Sequence, residues 1–414
     1  MKICFLVDSY KPIYDGVVRY FDSFIPALVA EGHEVVLVCP QIPGTEKIEY
    51  PHKGLKVVRC FNPGFYDEGY YIGLPDRNLV KAVREADFVL IHSLATLGVI
   101  GGFVARFYRK KIGLFVHQDE RIVLIEMLNR PKWIVNFTVS LISEIFYPYF
   151  VDVFFCATER FKGKLLDYKV PEKKIFFTPF AIDSEAFHPG NITVNIRERH
   201  NIPQDAIVTI FVGRVSVEKN ITNLILALDA AMEEEPKLYS LFVGKKTNLE
   251  LVPKDLKHAN RMIFTGFVPE EELPSYYCSA DIFASPSINE SSCFTLFEAM
   301  SCQLPVITSE YRHDKDIIHK ENAILVKQLR NPEAIKNAIL YLVRNPKARS
   351  KIALKGKQLI DARTWQFHVQ EFFKGVKAVY KKSNSNSRVR AFFKQYSLSR
   401  SKEKKNNSVT YSKD

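Results

Sequence analysis

The sequence has no C-x-x-C pair. None of its seven cysteines, Cys4, Cys39, Cys60, Cys156, Cys278, Cys293 and Cys302, is spaced with histidines as a zinc site requires. A zinc module is therefore not expected, and the thiols are read as reduced and mostly buried. No G-x-G-x-x-G follows the first strand of either strand series described below, which argues against a nicotinamide-dependent Rossmann enzyme. There is no G-x-S-x-G nucleophile elbow, and no D-x-D pair is placed to hold a metal against a diphosphate, so metal-independent chemistry is expected. A clean membrane-spanning run is also lacking: the most apolar stretch, Trp133 to Phe155, is interrupted by Asn136, Glu144, Pro148 and Asp152, and reads as a buried or interfacial helix. The start, MKICFLVDSY, enters a strand without a signal-peptide apolar region, so a cytoplasmic chain is expected.

At 414 residues the chain exceeds what one core ordinarily supports, and two domains are expected. Hydrophobic residues at 47% and charged residues at 25% match ordered globular domains, while 31 Phe and 19 Tyr leave aromatic surface that can face lipid. The formal charge of +12 favours polyanionic partners: nucleic acid, nucleotide phosphates or an anionic membrane face.

Short apolar strands alternate with helical patterns. A first series runs Lys2 to Val7, Glu34 to Cys39, Leu55 to Cys60, Phe88 to His92, Ile112 to His117, Val153 to Ala157 and Ile175 to Thr178, with a first helix from Val17 to Glu31. A second runs Val208 to Gly213, Tyr239 to Gly244, Met262 to Phe267, Ile282 to Ser285, Pro305 to Thr308 and Ala323 to Val326. Such alternation specifies parallel sheets covered by helices, an α/β fold. The reading is a domain over 1–182 and another over 183–363, with the proline-bounded segment 179–189 as the connection. Thr364 to Lys382 reads as an amphipathic helix with Trp365, Val369, Phe372, Phe373, Val376 and Tyr380 on its apolar face. The tail 383–414 carries eight Lys/Arg and two Asp/Glu, half of the net charge, and is expected to be disordered or drawn to anionic lipid. Nucleic-acid binding fits it less well, because no binding module accompanies it and the excess is not spread over a folded face.

Chemistry-bearing residues gather at element ends. Glu290 and Glu298 flank a loop-to-helix junction, and the helix opening at Phe294, Thr295 and Leu296 offers backbone N–H groups to a phosphate. Phosphate repels carboxylates, so the two acids are assigned to hydroxyls on either side of it, one on a sugar and one on a ribose; a nucleotide-sugar fits. Arg214 and Lys219, five residues apart after a strand, suit a diphosphate, Arg as a fork and Lys as a mobile point charge. His117 ends an apolar strand at the carboxyl edge of a parallel sheet, where ligands of such folds collect. Gly16, ahead of the first helix, is either a turn glycine or a point of close backbone approach to a ligand.

The segment Glu298-Ala299-Met300-Ser301-Cys302-Gln303-Leu304-Pro305-Val306 behind Glu290 resembles the E-x7-E signature of retaining glycosyltransferases of family 4, with Gln303 where that family has glycine. Arg214 and Lys219 resemble its G-R-x4-K element and His117 its strand-end histidine. Gly16 stands in its glycine loop, with Asp15 replacing the first glycine, and Gly266, Phe267 and Val268 resemble the segment that contacts the nucleotide base through its backbone. Lys245 replaces a frequent second glycine after Gly244.

The resemblance covers residues 1 to about 382 and implies a GT-B fold, two Rossmann-like domains whose sheets face each other across a cleft. It places the acceptor on the first domain, completed by the C-terminal helix, and the nucleotide-sugar on the second. Glu298 falls to the ribose, Glu290 to the transferred sugar, Arg214, Lys219 and residues 294–296 to the diphosphate, Val268 to the base, and His117 to sugar or acceptor hydroxyls. The implied activity is hexosyl transfer from a UDP- or GDP-sugar, without a metal or other cofactor, to a lipid or lipid-linked glycan at the cytosolic membrane face. A soluble acceptor and a nucleotide-sugar epimerase are the alternatives.

Overall fold

Strand β1 (Lys2–Leu6) sends Ile3 and Phe5 to one face and Cys4 and Leu6 to the other, and all four are fully buried. A strand apolar on both faces needs a layer on each, which is the condition of a helix-covered parallel sheet. The structure is a computed structural model that describes residues 1–13, 16–64, 66–67, 70–117, 131–244, 249–288, 294–310 and 316–381. The chain divides into two compact units. One comprises Met1–Cys156, Phe161–Thr178 and the chain from Val369 onward; the other comprises Ala157–Arg160 and Pro179–His368.

In the first unit β1 is joined by β2 (Glu34–Pro40), β3 (Ile48–His52), β4 (Leu55–Cys60), β7 (Phe88–Ile91), β8 (Lys111–Val116), β9 (Val153–Cys156) and β10 (Ile175–Phe177). Their order is β10-β9-β8-β7-β1-β2-β4-β3. A separate two-stranded ladder pairs β5 (Tyr66–Asp67) with β6 (Tyr70–Tyr71). On one face of the large sheet, Phe5 packs on Phe24 of the helix Gly16–Ala30, while Phe88 and Phe155 pack on Phe372 of the C-terminal helix Trp365–Lys381. The opposite face carries the core of Cys4, Leu6, Ile91, Leu114 and Phe154.

The second unit holds β11 (Ile207–Val212), β12 (Leu238–Val243), β13 (Met262–Gly266), β14 (Ile282–Ser285), β15 (Val306–Ser309) and β16 (Ile324–Val326), in the order β13-β12-β11-β14-β15-β16. Every pairing in it is parallel. The helix Ile221–Glu234 buries Leu224, Ile225 and Leu228 in its core.

Each strand expected from the sequence is present to within one residue at either end, as are the helix at 16–30 and the terminal helix. Three features differ. First, the first sheet is not wholly parallel, because β3 pairs antiparallel with β4 at its edge. Its residues are mostly exposed and include Pro51, so β3 lacks the apolar run that marks the buried strands. Second, the β5–β6 ladder was not foreseen, its strands being two residues each. Third, Trp133 to Phe155 is not one helix. It forms Lys132–Leu141, a π-helical turn Ile142–Phe146 and Tyr147–Phe150, then extends at Val151 and enters β9. Pro148 supplies the reason: its ring clashes with the carbonyl four residues back in a regular helix, and the wider turn, closed by Tyr147 N to Ile142 O, relieves that clash.

Along this segment Trp133, Phe137, Leu141, Ile145 and Tyr149 are 72%, 65%, 47%, 46% and 70% exposed. A four-residue step overshoots one α-helical turn by about 40°, and a wide turn offsets part of that drift. Among the described residues no helix is long and apolar enough to cross a membrane. The basic tail 383–414 lies outside the described residues.

Candidate functional site

In the second unit β11 leads outward to β12 and β13, whereas β14 leads the other way to β15 and β16. The carboxyl ends of β11 and β14 therefore flank a topological switch point, where the loops diverge and leave a crevice. The cations follow one strand and the acidic segment the other. After β11 the backbone turns at Gly213, φ +152°, and Arg214 projects into solvent, its guanidinium 3.3 Å from Glu218. An exposed pair of this kind contributes little, about 0–1 kcal/mol, so a phosphate can compete for the arginine.

Lys219 ends a short 3₁₀ turn, Val217–Lys219, which closes on Asn220 in the left-handed conformation, φ 60° and ψ 34°. Asn220 is buried, and its amide Nδ2 donates to Pro286 O at 3.1 Å and Leu329 O at 2.6 Å. Ile288 N donates to Glu218 O at 2.8 Å. These bonds tie the cation loop to the segments leaving β14 and β16.

The helix Phe294–Ser301 opens beyond that segment. By helix geometry its first-turn N–H groups lack intrahelical acceptors. Phe294 is wedged against Phe180, ring centroids 4.9 Å apart, and Ser301 Oγ donates to Phe187 O at 2.5 Å, so both ends of the helix are pinned. Glu298 is 1% exposed, and its Oε2 accepts from the Tyr277 hydroxyl at 2.7 Å. Glu290 lies outside the described residues. Val268 follows the tip of β13, two strands or roughly 10 Å from β11, next to an 81% exposed Phe267. Gly244 N donates to Gly266 O at 2.9 Å and joins the tips of β12 and β13. Lys245 lies outside the described residues.

In the first unit the switch point falls between β1 and β7. Asp8, just past β1, accepts from the Ser93 hydroxyl and from Leu97 N at 3.1 Å. It thus caps the helix Thr96–Phe107, whose own N-cap residue, Ala95, has no side chain able to do so. Burial raises the Asp8 carboxyl above its usual range, against the lowering by Ser93, Leu97 and Thr96.

His92 and His117 follow the neighbouring strands β7 and β8, with His92 Nδ1 2.8 Å from His117 Nε2. Burial, and secondarily His117, holds the His92 imidazole well below its usual range. Tyr20, one turn into the helix that Gly16 opens, packs edge-on to His117 with centroids 5.2 Å apart. Gly16 itself is exposed, with nothing within 4 Å of where a Cβ would stand.

The structure thus groups Gly16 with His117 in one unit, and Arg214, Lys219, Phe294, Thr295, Leu296 and Glu298 in the other, with Val268 farther along the sheet edge. Sequence reasoning did not single out His92, Asn220 or Tyr277. For His92 a signal was present, since an apolar strand ending in histidine occurs twice, LIHS and FVHQ. The roles of Tyr277 and Asn220 depend on partners 21 and 66 or more residues away.

Residues 14–186 match the family described as Glycosyltransferase Family 4, and residues 193–359 the one described as Glycosyl transferases group 1. The chain is 26% identical to an alpha-monoglucosyldiacylglycerol synthase of Acholeplasma laidlawii over 84% of its own length and 89% of the relative's. It is 22% identical to a GDP-mannose-dependent alpha-mannosyltransferase of Corynebacterium glutamicum over 88% of this chain and 86% of that one. Among solved structures, Anabaena HepE in complex with UDP-glucose shares its fold, with a TM-score of 0.69 and 17% identity over 91% of this chain and all of the other. Two parallel α/β units carrying these matches make the protein a glycosyltransferase of the GT-B fold. Its first half matches the Glycosyltransferase Family 4 model and its second half the Glycosyl transferases group 1 model.

Proposed function

We propose that the protein is a retaining hexosyltransferase that moves a sugar from a UDP- or GDP-sugar to a hydroxyl of a lipid or lipid-linked glycan, working peripherally at the cytosolic face of a membrane. The observation that carries the donor half is the bond from Ile288 N to Glu218 O, which draws the cation loop and the acid-bearing segment together at one switch point. Arg214 and Lys219, with the N–H groups of Phe294, Thr295 and Leu296, receive the diphosphate and stabilise it as it departs. Glu298 binds the ribose. Glu290 binds the transferred sugar, and backbone at Val268 meets the base. The protein's own cations and helix N-terminus do what a metal would otherwise do.

Residues 1–182 take the acceptor, with His117 at the acceptor side, and residues 183–363 take the donor. The bond from the anomeric carbon to the diphosphate breaks, the acceptor oxygen bonds to the same face, and its proton passes to the departing phosphate oxygen. The lipid acceptor is supported by the diacylglycerol-acting name of a relative that matches over most of both chains. It is also supported by the exposed stripe Trp133, Phe137, Leu141, Ile145 and Tyr149, whose aromatic ends suit a membrane interface, with the basic tail as a second, electrostatic attachment.

The test begins with a screen of UDP- and GDP-sugars for protection against thermal unfolding, followed by assay of the protecting donor with lipid and soluble acceptors. Arg214→Ala and Lys219→Ala are each expected to lower kcat/KM by about 100-fold or more and to weaken protection. Wild-type transfer in both variants would remove them from the site. Conversion of the donor to an epimer without acceptor would replace the transferase reading.

A further inference from the structure

The His92–His117 pair leaves one proton to be placed along the 2.8 Å line between His92 Nδ1 and His117 Nε2. Both rings are buried, 3% and 6% exposed. The other nitrogen of His92, Nε2, is buried and has no hydrogen-bond partner. Around that ring stand Phe5 and Phe21 with centroids at 4.6 and 4.7 Å, and Phe115 and Tyr20 at 6.0 and 6.1 Å. A buried N–H without an acceptor is the costlier orphan, whereas an unprotonated ring nitrogen loses only a weaker interaction, and a ring face is a poor substitute acceptor. The proton of neutral His92 therefore belongs on Nδ1, donated to His117 Nε2.

We infer that His92 is a positioning residue that fixes the tautomer of His117. With its Nε2 lone pair filled by His92, neutral His117 carries its own proton on Nδ1 and is a hydrogen-bond donor there rather than a base. His92 N also donates to Leu6 O at 3.0 Å, which ties the pair to the end of β1 at the switch point. A hydrogen-bond donor at that position suits recognition of a hydroxyl oxygen on the acceptor and excludes proton abstraction from the acceptor by His117. The consequence for transfer rests on the acceptor-side placement of His117 proposed above; the tautomer does not.

Two measurements test the inference. In full-length protein labelled with ¹⁵N-histidine, long-range proton–nitrogen correlation should show a pyrrole-type Nδ1 and a pyridine-type Nε2 for both residues, with signals assigned by their loss in His92→Asn and His117→Asn. A protonated Nε2 on His92 overturns the assignment. In transfer assays His92→Leu should lower kcat/KM at least tenfold while leaving thermal protection by the donor unchanged. His92→Asn, whose amide can stand near Nδ1, should recover most of the loss. An asparagine variant as impaired as the leucine variant, with both folded to the same melting temperature, also overturns it. Wild-type transfer by His117→Ala would overturn the placement of His117 instead, an outcome the nitrogen spectrum separates from a wrong tautomer.

Discussion

Glu298 could be read from the sequence as the second acid of a pair, but not as a residue buried to 1% and held by Tyr277. Type and spacing identify what chemistry a side chain offers, whereas burial and partners come from segments distant in the chain. His368 shows the same gap. It reads as an ordinary polar position of the terminal helix, yet its Nδ1 lies 2.7 Å from Pro179 O where the chain leaves and re-enters one unit. Burial lowers its imidazole to about 4, against the raising effect of that hydrogen bond. Between pH 6.5 and 4 the unfolded chain binds a proton there that the folded chain refuses, so the stabilisation is complete above pH 6.5 and is lost as pH falls through that window. The full effect is on the order of 3 kcal/mol. Urea midpoints measured from pH 7.5 to 4 should fall less steeply for His368→Gln than for wild type, and parallel curves would refute it. His33, lowered by burial to about 3, acts in the same direction and remains in the variant.

Elements were the most legible level, because an apolar run between turn residues marks a buried strand and needs no knowledge of its neighbours. The failures share a cause. β3 is exposed and short of apolar residues, and the 132–150 helix is interrupted by a π turn that answers a local clash at Pro148. At the ends of β11 and β12 the two glycines have a requirement the sequence does not announce. Gly213 and Gly244 have φ of +152° and +137°, and a Cβ on Gly244 would stand 2.1 Å from Gly213 O. Gly244→Ala is therefore expected to destabilise the fold by about 1–3 kcal/mol and to push away the backbone that leads into Arg214. Chemical denaturation reads the first effect and loss of donor protection the second. An alanine variant equal to wild type in both would show that the strand ends separate freely.

At the scale of the whole molecule, the sequence yields two series of strands but not their order. Reversal of direction between β1 and β7, and again between β11 and β14, creates the two crevices. Membrane attachment belongs to this scale too, since it sums contributions of separate segments. Replacing Trp133, Phe137 and Tyr149 together by serine is expected to weaken binding to anionic vesicles at all salt concentrations. Removal of 383–414 is expected to weaken it at low salt only, because charge attraction is screened and apolar insertion is not. Vesicle co-sedimentation across an ionic-strength series distinguishes the two, and unchanged binding in both proteins would discard the membrane role of these segments.

The sequence by itself determined the α/β class, the strand positions and the chemical character of the residues at the strand ends, because periodicity and side-chain type are local properties. Only the tertiary structure decided that the cation loop meets the segment after β14, that Asp8 accepts from a helix N–H 89 residues away, and that two histidines 25 residues apart meet at 2.8 Å. Those pairings follow from strand order and burial. Both arise when distant segments exclude water together, a condition that no single stretch of chain encodes.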